Sequence, residues 1–148
     1  MVGITRDLPL GHQFPPITKP MTMERMMVFS DMEHSTCAGD FQLAPPNIHN
    51  DFEFAQSEGF PNLVADGLIT THWVEAIMRD LFGIGYYKGG KLITKYIKPV
   101  YVNDEVTIKL MLKEKVAEDN ALRFNLEINC FNQNGELVTV GTASALVS

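Results

Sequence analysis

The stretch Leu68–Phe82 constrains the chain more than any other. Nine of its fifteen residues are apolar: Leu68, Ile69, Trp73, Val74, Ala76, Ile77, Met78, Leu81 and Phe82. Asp66 stands where a helix N-cap belongs, and Gly83 stands where a helix ends on a left-handed residue. The segment therefore reads as one long helix. Its apolar positions are too many for the narrow stripe of a surface helix, so most of its sides need cover. Thr71, Glu75 and Arg79 form the one polar line, with Glu75 and Arg79 at i,i+4 spacing.

The cover is expected from the C-terminal half. In Glu105–Val116 and Ala121–Phe131 apolar and polar residues alternate, the period of a strand with one face in the core. Glu118-Asp119-Asn120 joins the two as a turn. Asn134-Gly135 is a hairpin signal, because both residues tolerate positive φ. A further strand follows over roughly 137–147, and Lys91–Val100, closed by Pro99, precedes them, entered through Tyr86-Tyr87-Lys88-Gly89-Gly90, which reads as a flexible turn. Four strands on short turns imply an antiparallel meander. A short helix is expected over 51–58, with Asp51 as its cap. Residues 1–20 carry Pro9, Pro15, Pro16 and Pro20 and read as an extended arm. Met21–Phe29 reads as a short strand or the entry to one, which would complete the sheet. The organisation is thus an arm, 1–20, and one domain, 21–148. The class is α+β, with an antiparallel sheet wrapped around one central helix.

Charge and cysteine usage exclude several functions. Twelve basic and eighteen acidic residues give a net charge of −6 with no basic stripe, so nucleic acid is not an expected partner. Cys37 and Cys130 are far apart and form no metal or redox spacing. Cys130 falls on the apolar side of its strand. No apolar run is long enough to span a bilayer, and Met1–Leu10 lacks the pattern of a secretory signal. The expected location is the cytoplasm.

The segment ahead of the long helix carries the chemistry. It contains Asn47-Ile48-His49, Asp51, Ala55, Gly59-Phe60-Pro61 and Gly67, which opens the helix. In these residues, and in the order of elements after them, the chain resembles the MaoC-like (R)-specific enoyl-CoA hydratase family. That family has the hot-dog fold. The eighteen-residue interval from His49 to Gly67 matches the family's interval from catalytic histidine to oxyanion-hole glycine. The chain departs from the family's Asp-x-Asn-Pro-x-His pattern. Ala44 stands five residues before His49, Asp40 lies nine before it, and the Asn-Pro order is inverted in Pro46-Asn47. Asp66 stands where the family usually has histidine.

The resemblance implies addition or removal of water at the C2=C3 bond of an acyl-CoA thioester. Coenzyme A is then part of the substrate, and no separate cofactor is needed. Water addition builds enolate charge on the thioester oxygen. A helix N-terminus offers unpaired N–H groups for it, and Gly67 has no side chain to block approach. A carboxylate and an imidazole reaching one water would handle the protons. His49 is the imidazole, Asp40 its expected partner, and Asp66 the rival carboxylate. Asn47, Leu68 and His72 are candidates to touch substrate. Lys91, with Lys88, Lys95 and Lys98, is a candidate for the coenzyme phosphates. The resemblance also implies a homodimer or larger assembly with sites near the subunit interface. Two other readings stay open. One is a thioesterase on the same fold, with Asp66 or Glu75 activating water. The other is a non-catalytic acyl-CoA-binding or companion subunit.

Overall fold

The computed structural model describes residues 4–35 and 43–148. Cys37 and Asp40 lie outside the described residues. The elements run β1 (Ile17–Pro20), α1 (Met23–His34), α2 (Phe52–Ser57), α3 (Gly67–Phe82), α4 (Ile84–Gly89), β2 (Lys91–Tyr96), β3 (Glu105–Glu118), β4 (Ala121–Phe131) and β5 (Leu137–Val147). The strands form one antiparallel sheet in the order β1-β3-β4-β5-β2.

The long helix and the three C-terminal strands form where the pattern places them. Along β3 and β4 the inward residues Val106, Ile108, Leu110, Leu112, Phe124, Leu126, Ile128 and Cys130 are all buried. They form one core with Ile69, Val74, Ile77 and Met78 of α3. Fully burying a side chain of this size contributes about 1.5–3 kcal/mol, which is why the alternation decides the register. Burial also pushes the Cys130 thiol up to about 12, so it stays a neutral small apolar group. In the last hairpin only Gly135 takes positive φ; Asn132 Oδ1 accepts from the N–H groups of Asn134 and Glu136.

Four expectations need correction. First, Met21–Phe29 is not a strand: the helix α1 begins at Met23. Thr22 caps it, accepting from Arg25 N at 3.3 Å, and Met26 and Ser30 are buried one turn apart. The N-terminal strand comes instead from Ile17–Pro20, paired with Glu105–Ile108. Second, Tyr86–Gly90 is not an open turn but lies in and just beyond α4, which packs on β5. Arg123 Nη1 pins its end by donating to Gly89 O at 2.7 Å. Third, β2 stops at Tyr96 and does not pair with β3. It pairs with β5 at the opposite edge. The segment from Ile97 to Asp104 crosses under the start of α3, burying Val100 and Val102 on the way. Fourth, Glu75 turns to His72, 3.3 Å away, rather than to Arg79.

The proline-rich segment runs along the β1 edge of the sheet. Gly11 N donates to Leu112 O at 2.8 Å and Phe14 N to Leu110 O at 3.0 Å, and Phe14 is buried. No helix among the described residues is long and apolar enough to cross a membrane.

Candidate active site

Two strips of backbone fix the start of α3. Val64 N donates to Ile48 O at 3.0 Å, Ala65 N to Val100 O at 2.7 Å, and Val102 N to Leu63 O at 3.0 Å. Residues 63–65 are thus held between the loop that carries His49 and the segment that follows β2. This brings Asp66 beside His49 and leaves the first turn of α3 above both.

The histidine is oriented by its own loop. Asn47 Oδ1 accepts from His49 N at 2.8 Å, and Asn47 Nδ2 donates to Pro45 O at 3.0 Å and to Ser30 Oγ at 3.4 Å. Asn47 therefore works within the loop and ties it to α1. His49 Nδ1 lies 2.7 Å from Val64 O. A carbonyl only accepts, so Nδ1 carries the proton. Nε2 is left to face Asp66 Oδ2 across 3.8 Å, with both side chains about one-quarter exposed. That gap is too wide for a direct hydrogen bond and suits a shared water or hydroxyl.

Asp66 acts twice. Oδ1 accepts from Leu68 N at 2.8 Å and caps the helix, while Oδ2 looks to His49. Gly67 N–H, the first of the helix, has no hydrogen-bond partner among the described residues. The absent side chain of Gly67 has a second explanation. A Cβ there would lie 2.6 Å from the ring of Tyr96, whose hydroxyl is 2.7 Å from Thr71 Oγ. A cavity of about 310 Å³ opens beside Asp66 and Gly67, walled by Phe60, Tyr96 and the buried Thr70 and Thr139.

Glu33, in the last turn of α1, was not foreseen. Its carboxyl is held above its ordinary range, first by desolvation and then by the negative charge of Asp66; the charges of His49 and His72 pull the other way. Sequence reading missed it because it took the start of α1 for strand. The available signal was Thr22, a cap residue followed by Met26 and Ser30 at helical spacing. Because the folded state binds this proton more tightly than the unfolded chain, its stability falls as pH rises above the ordinary 4.5 through the raised value. Glu33→Gln removes that loss. The urea midpoint of the variant is expected to gain on the wild type as pH rises from the ordinary 4.5 through the raised value; parallel midpoints would contradict the raised Glu33 carboxyl.

The remaining candidates are placed as follows. Leu68 is exposed next to Gly67. His72 lies one turn on, pairs with Glu75, and bears on Glu33 by charge. Lys91 is not brought to the site. It begins β2 opposite Ser144, whereas Tyr96 ends the strand at Gly67. Five residues of strand put about 17 Å between them. Lys91 borders an open depression of about 760 Å³ on the outer face of the sheet. Lys98 pairs with Glu136 at 2.7 Å. Asp40 lies outside the described residues.

No protein-family model matches the chain, and no curated protein matches it. Solved structures do. The R-hydratase PhaJ1 from Pseudomonas aeruginosa aligns with a TM-score of 0.73 at 21% identity, over 95% of this chain and 83% of that one. The MaoC-like dehydratase from Rhodospirillum rubrum gives 0.73 at 20%, over 98% and 97%. The 3R-hydroxyacyl-ACP dehydratase complex HadBC from Mycobacterium tuberculosis gives 0.71 at 16%, over 97% and 100%. In fold, this chain is a hot-dog domain of the kind found in MaoC-like dehydratases and (R)-hydratases.

Proposed function

We propose that the protein is a hydratase or dehydratase acting on the C2=C3 bond of an α,β-unsaturated acyl-CoA. One observation carries this reading. An imidazole of fixed tautomer faces a carboxylate across 3.8 Å, beside a helix whose first N–H has no partner among the described residues. A water between Nε2 and Oδ2 donates to both and turns a lone pair toward substrate. Its oxygen bonds to C3, and its proton passes to Nε2. The C2=C3 electron pair moves into the thioester as an enolate, whose oxygen is held at Gly67 N–H and the helix dipole. Collapse of the enolate takes that proton from His49 Nε2 onto C2 and returns the imidazole to its neutral form; dehydration is the reverse. A bare carboxylate at Asp66 would oppose an adjacent oxyanion. Its Oδ1 is held by Leu68 N at 2.8 Å, which ties part of that charge to the helix cap.

The likeness in fold to an R-hydratase and a MaoC-like dehydratase supports the reaction class. The test is spectroscopic: an enoyl-CoA should lose its conjugated thioester absorbance while free thiol stays flat. Thiol release from a saturated acyl-CoA would assign a thioesterase instead.

Self-assembly belongs to the same reading. β2 is an edge strand, and Ile93 on it and Ile97 just after it are exposed. Pairing of two copies at this edge would satisfy its free backbone groups. Light scattering should give twice the chain mass or more; a monomer at micromolar concentration would count against it.

A further inference from the structure

The wall of the cavity beside Gly67 contains two side chains that the proposed reaction does not use. Thr70 follows Gly67 by one turn of α3, and Thr139 lies on β5 directly opposite Tyr96. Directly paired residues put their side chains on one face of a sheet. The Tyr96 ring rests against Gly67, so Thr139 faces the same turn of the helix. Thr70 is 1% and Thr139 2% exposed. Neither hydroxyl has a hydrogen-bond partner among the described residues, where no side-chain oxygen or nitrogen is both sealed from solvent and unpartnered. Each hydroxyl therefore keeps a sliver of accessible surface, and the cavity is where it opens. The neighbouring Thr71 shows the contrast, because its hydroxyl meets those of Thr94 and Tyr96 at 2.8 and 2.7 Å. A buried hydroxyl without a partner costs stability, and valine would fill the same space without that cost. Two such hydroxyls on one wall call for a bound group that completes them.

We propose that the substrate is a short acyl thioester carrying a neutral oxygen, hydroxyl or keto, at C4 or C5, and that Thr70 and Thr139 bind this oxygen; the idea rests on the hydratase reading above. A threonine hydroxyl donates or accepts, so the pair suits either oxygen. Thr70 stands three residues beyond Gly67, about 4.5 Å of helix rise. From a thioester carbonyl held at Gly67 N–H, that is about four bonds of extended chain at roughly 1.2 Å each. The cavity of about 310 Å³ takes about ten water-sized groups at about 30 Å³ each, enough for a thioester and a short acyl group. Phe60, Ile97 and Val100 suit its carbons. A carboxylate in place of the neutral oxygen fits less well. Asp66 stands in the wall, and Lys98, the one cation that borders the cavity among the described residues, is paired with Glu136 at 2.7 Å.

The probes are six-carbon 2-enoyl-CoA esters that are unsubstituted, 5-hydroxy, 5-keto or ended by a carboxylate. A site built to bond a substrate oxygen rejects the analogue that lacks it. The kcat/KM is expected to be at least about tenfold higher for the 5-hydroxy or the 5-keto ester than for the unsubstituted one, and lowest for the carboxylate. The better of the two oxygenated esters identifies the oxygen. Thr70→Val and Thr139→Val should each bring the ratio of oxygenated to unsubstituted ester close to one. Thr70→Ser and Thr139→Ser keep the hydroxyl and should preserve it. A wild-type ratio near one, a preference for the carboxylate, or a ratio that the valine variants leave unchanged would each overturn the proposal. Calorimetric titration with the saturated hexanoyl and 5-hydroxyhexanoyl or 5-ketohexanoyl esters reads binding without turnover. If only the hydratase reading fails, the tighter binding of an oxygenated ester persists while no enoyl ester is consumed. If only the present proposal fails, enoyl esters are consumed and the saturated esters bind alike.

Discussion

Replacing His49 by alanine is expected to lower turnover of an enoyl-CoA at least a hundredfold, with little change in the unfolding midpoint. General acid–base groups contribute about 10²–10⁴ to rate. His49 is one-quarter exposed and makes one side-chain hydrogen bond, to Val64 O, so the fold does not depend on it heavily. Asp66→Asn separates the two jobs of the carboxylate. Asparagine caps a helix about as well as aspartate, so the cap to Leu68 N survives, but the charge facing Nε2 is gone. A fall comparable to that of His49→Ala assigns Asp66 as the partner base. Wild-type turnover in Asp66→Asn would move that role to Asp40.

Gly141→Ala is expected to destabilise the protein by about 3 kcal/mol, at the upper end for a forced overpacking. A Cβ at Gly141 would lie 2.1 Å from Ile93 O and 3.1 Å from Thr94 Cα. These are backbone atoms of β2, which cannot swing aside as a side chain can. Strand β2 would have to leave its place on β5. Thr94 and Tyr96 would go with it, and with them the hydroxyl contacts to Thr71 and the ring that fills the space at Gly67. The loss should appear as a lower urea midpoint and, in the folded fraction, as weaker turnover. An unchanged midpoint would show that β2 is not held this closely.

The parts legible in the sequence are those set by local chemistry. Asp66 and Asp51 cap their helices through their own carboxylates, accepting from Leu68 N and Phe54 N at 2.8 Å. The alternation in β3 and β4 fixes which residues face α3. The His49–Gly67 interval likewise follows from neighbouring residues: a short helix, a turn at Gly59 and the extended piece 63–65 return the chain to its own loop.

What was not legible depends on which distant surfaces meet. The run Met21–Phe29 mixes methionine, valine and phenylalanine and suits a strand or a helix until Ser30 and Met26 are seen to pack on one face. With α1 misread, Glu33 could not be placed beside Asp66, more than thirty residues away. The position of β2 depends on the crossing of Ile97–Asp104 under α3 and on the missing side chain at Gly141, neither of which is a periodic signal. Lys91 and Tyr96 lie on the same short strand, and only its direction decides which of them reaches the helix N-terminus.

The measurement that bears most directly on the central claim is the fate of labelled water. An enoyl-CoA is incubated with the protein in ¹⁸O-water, and the product is analysed by mass spectrometry. Water addition between His49 and Asp66 predicts one ¹⁸O on the hydroxyl at C3, with the thioester intact. Label in a free carboxylate, or recovery of the unlabelled enoyl ester, would contradict it.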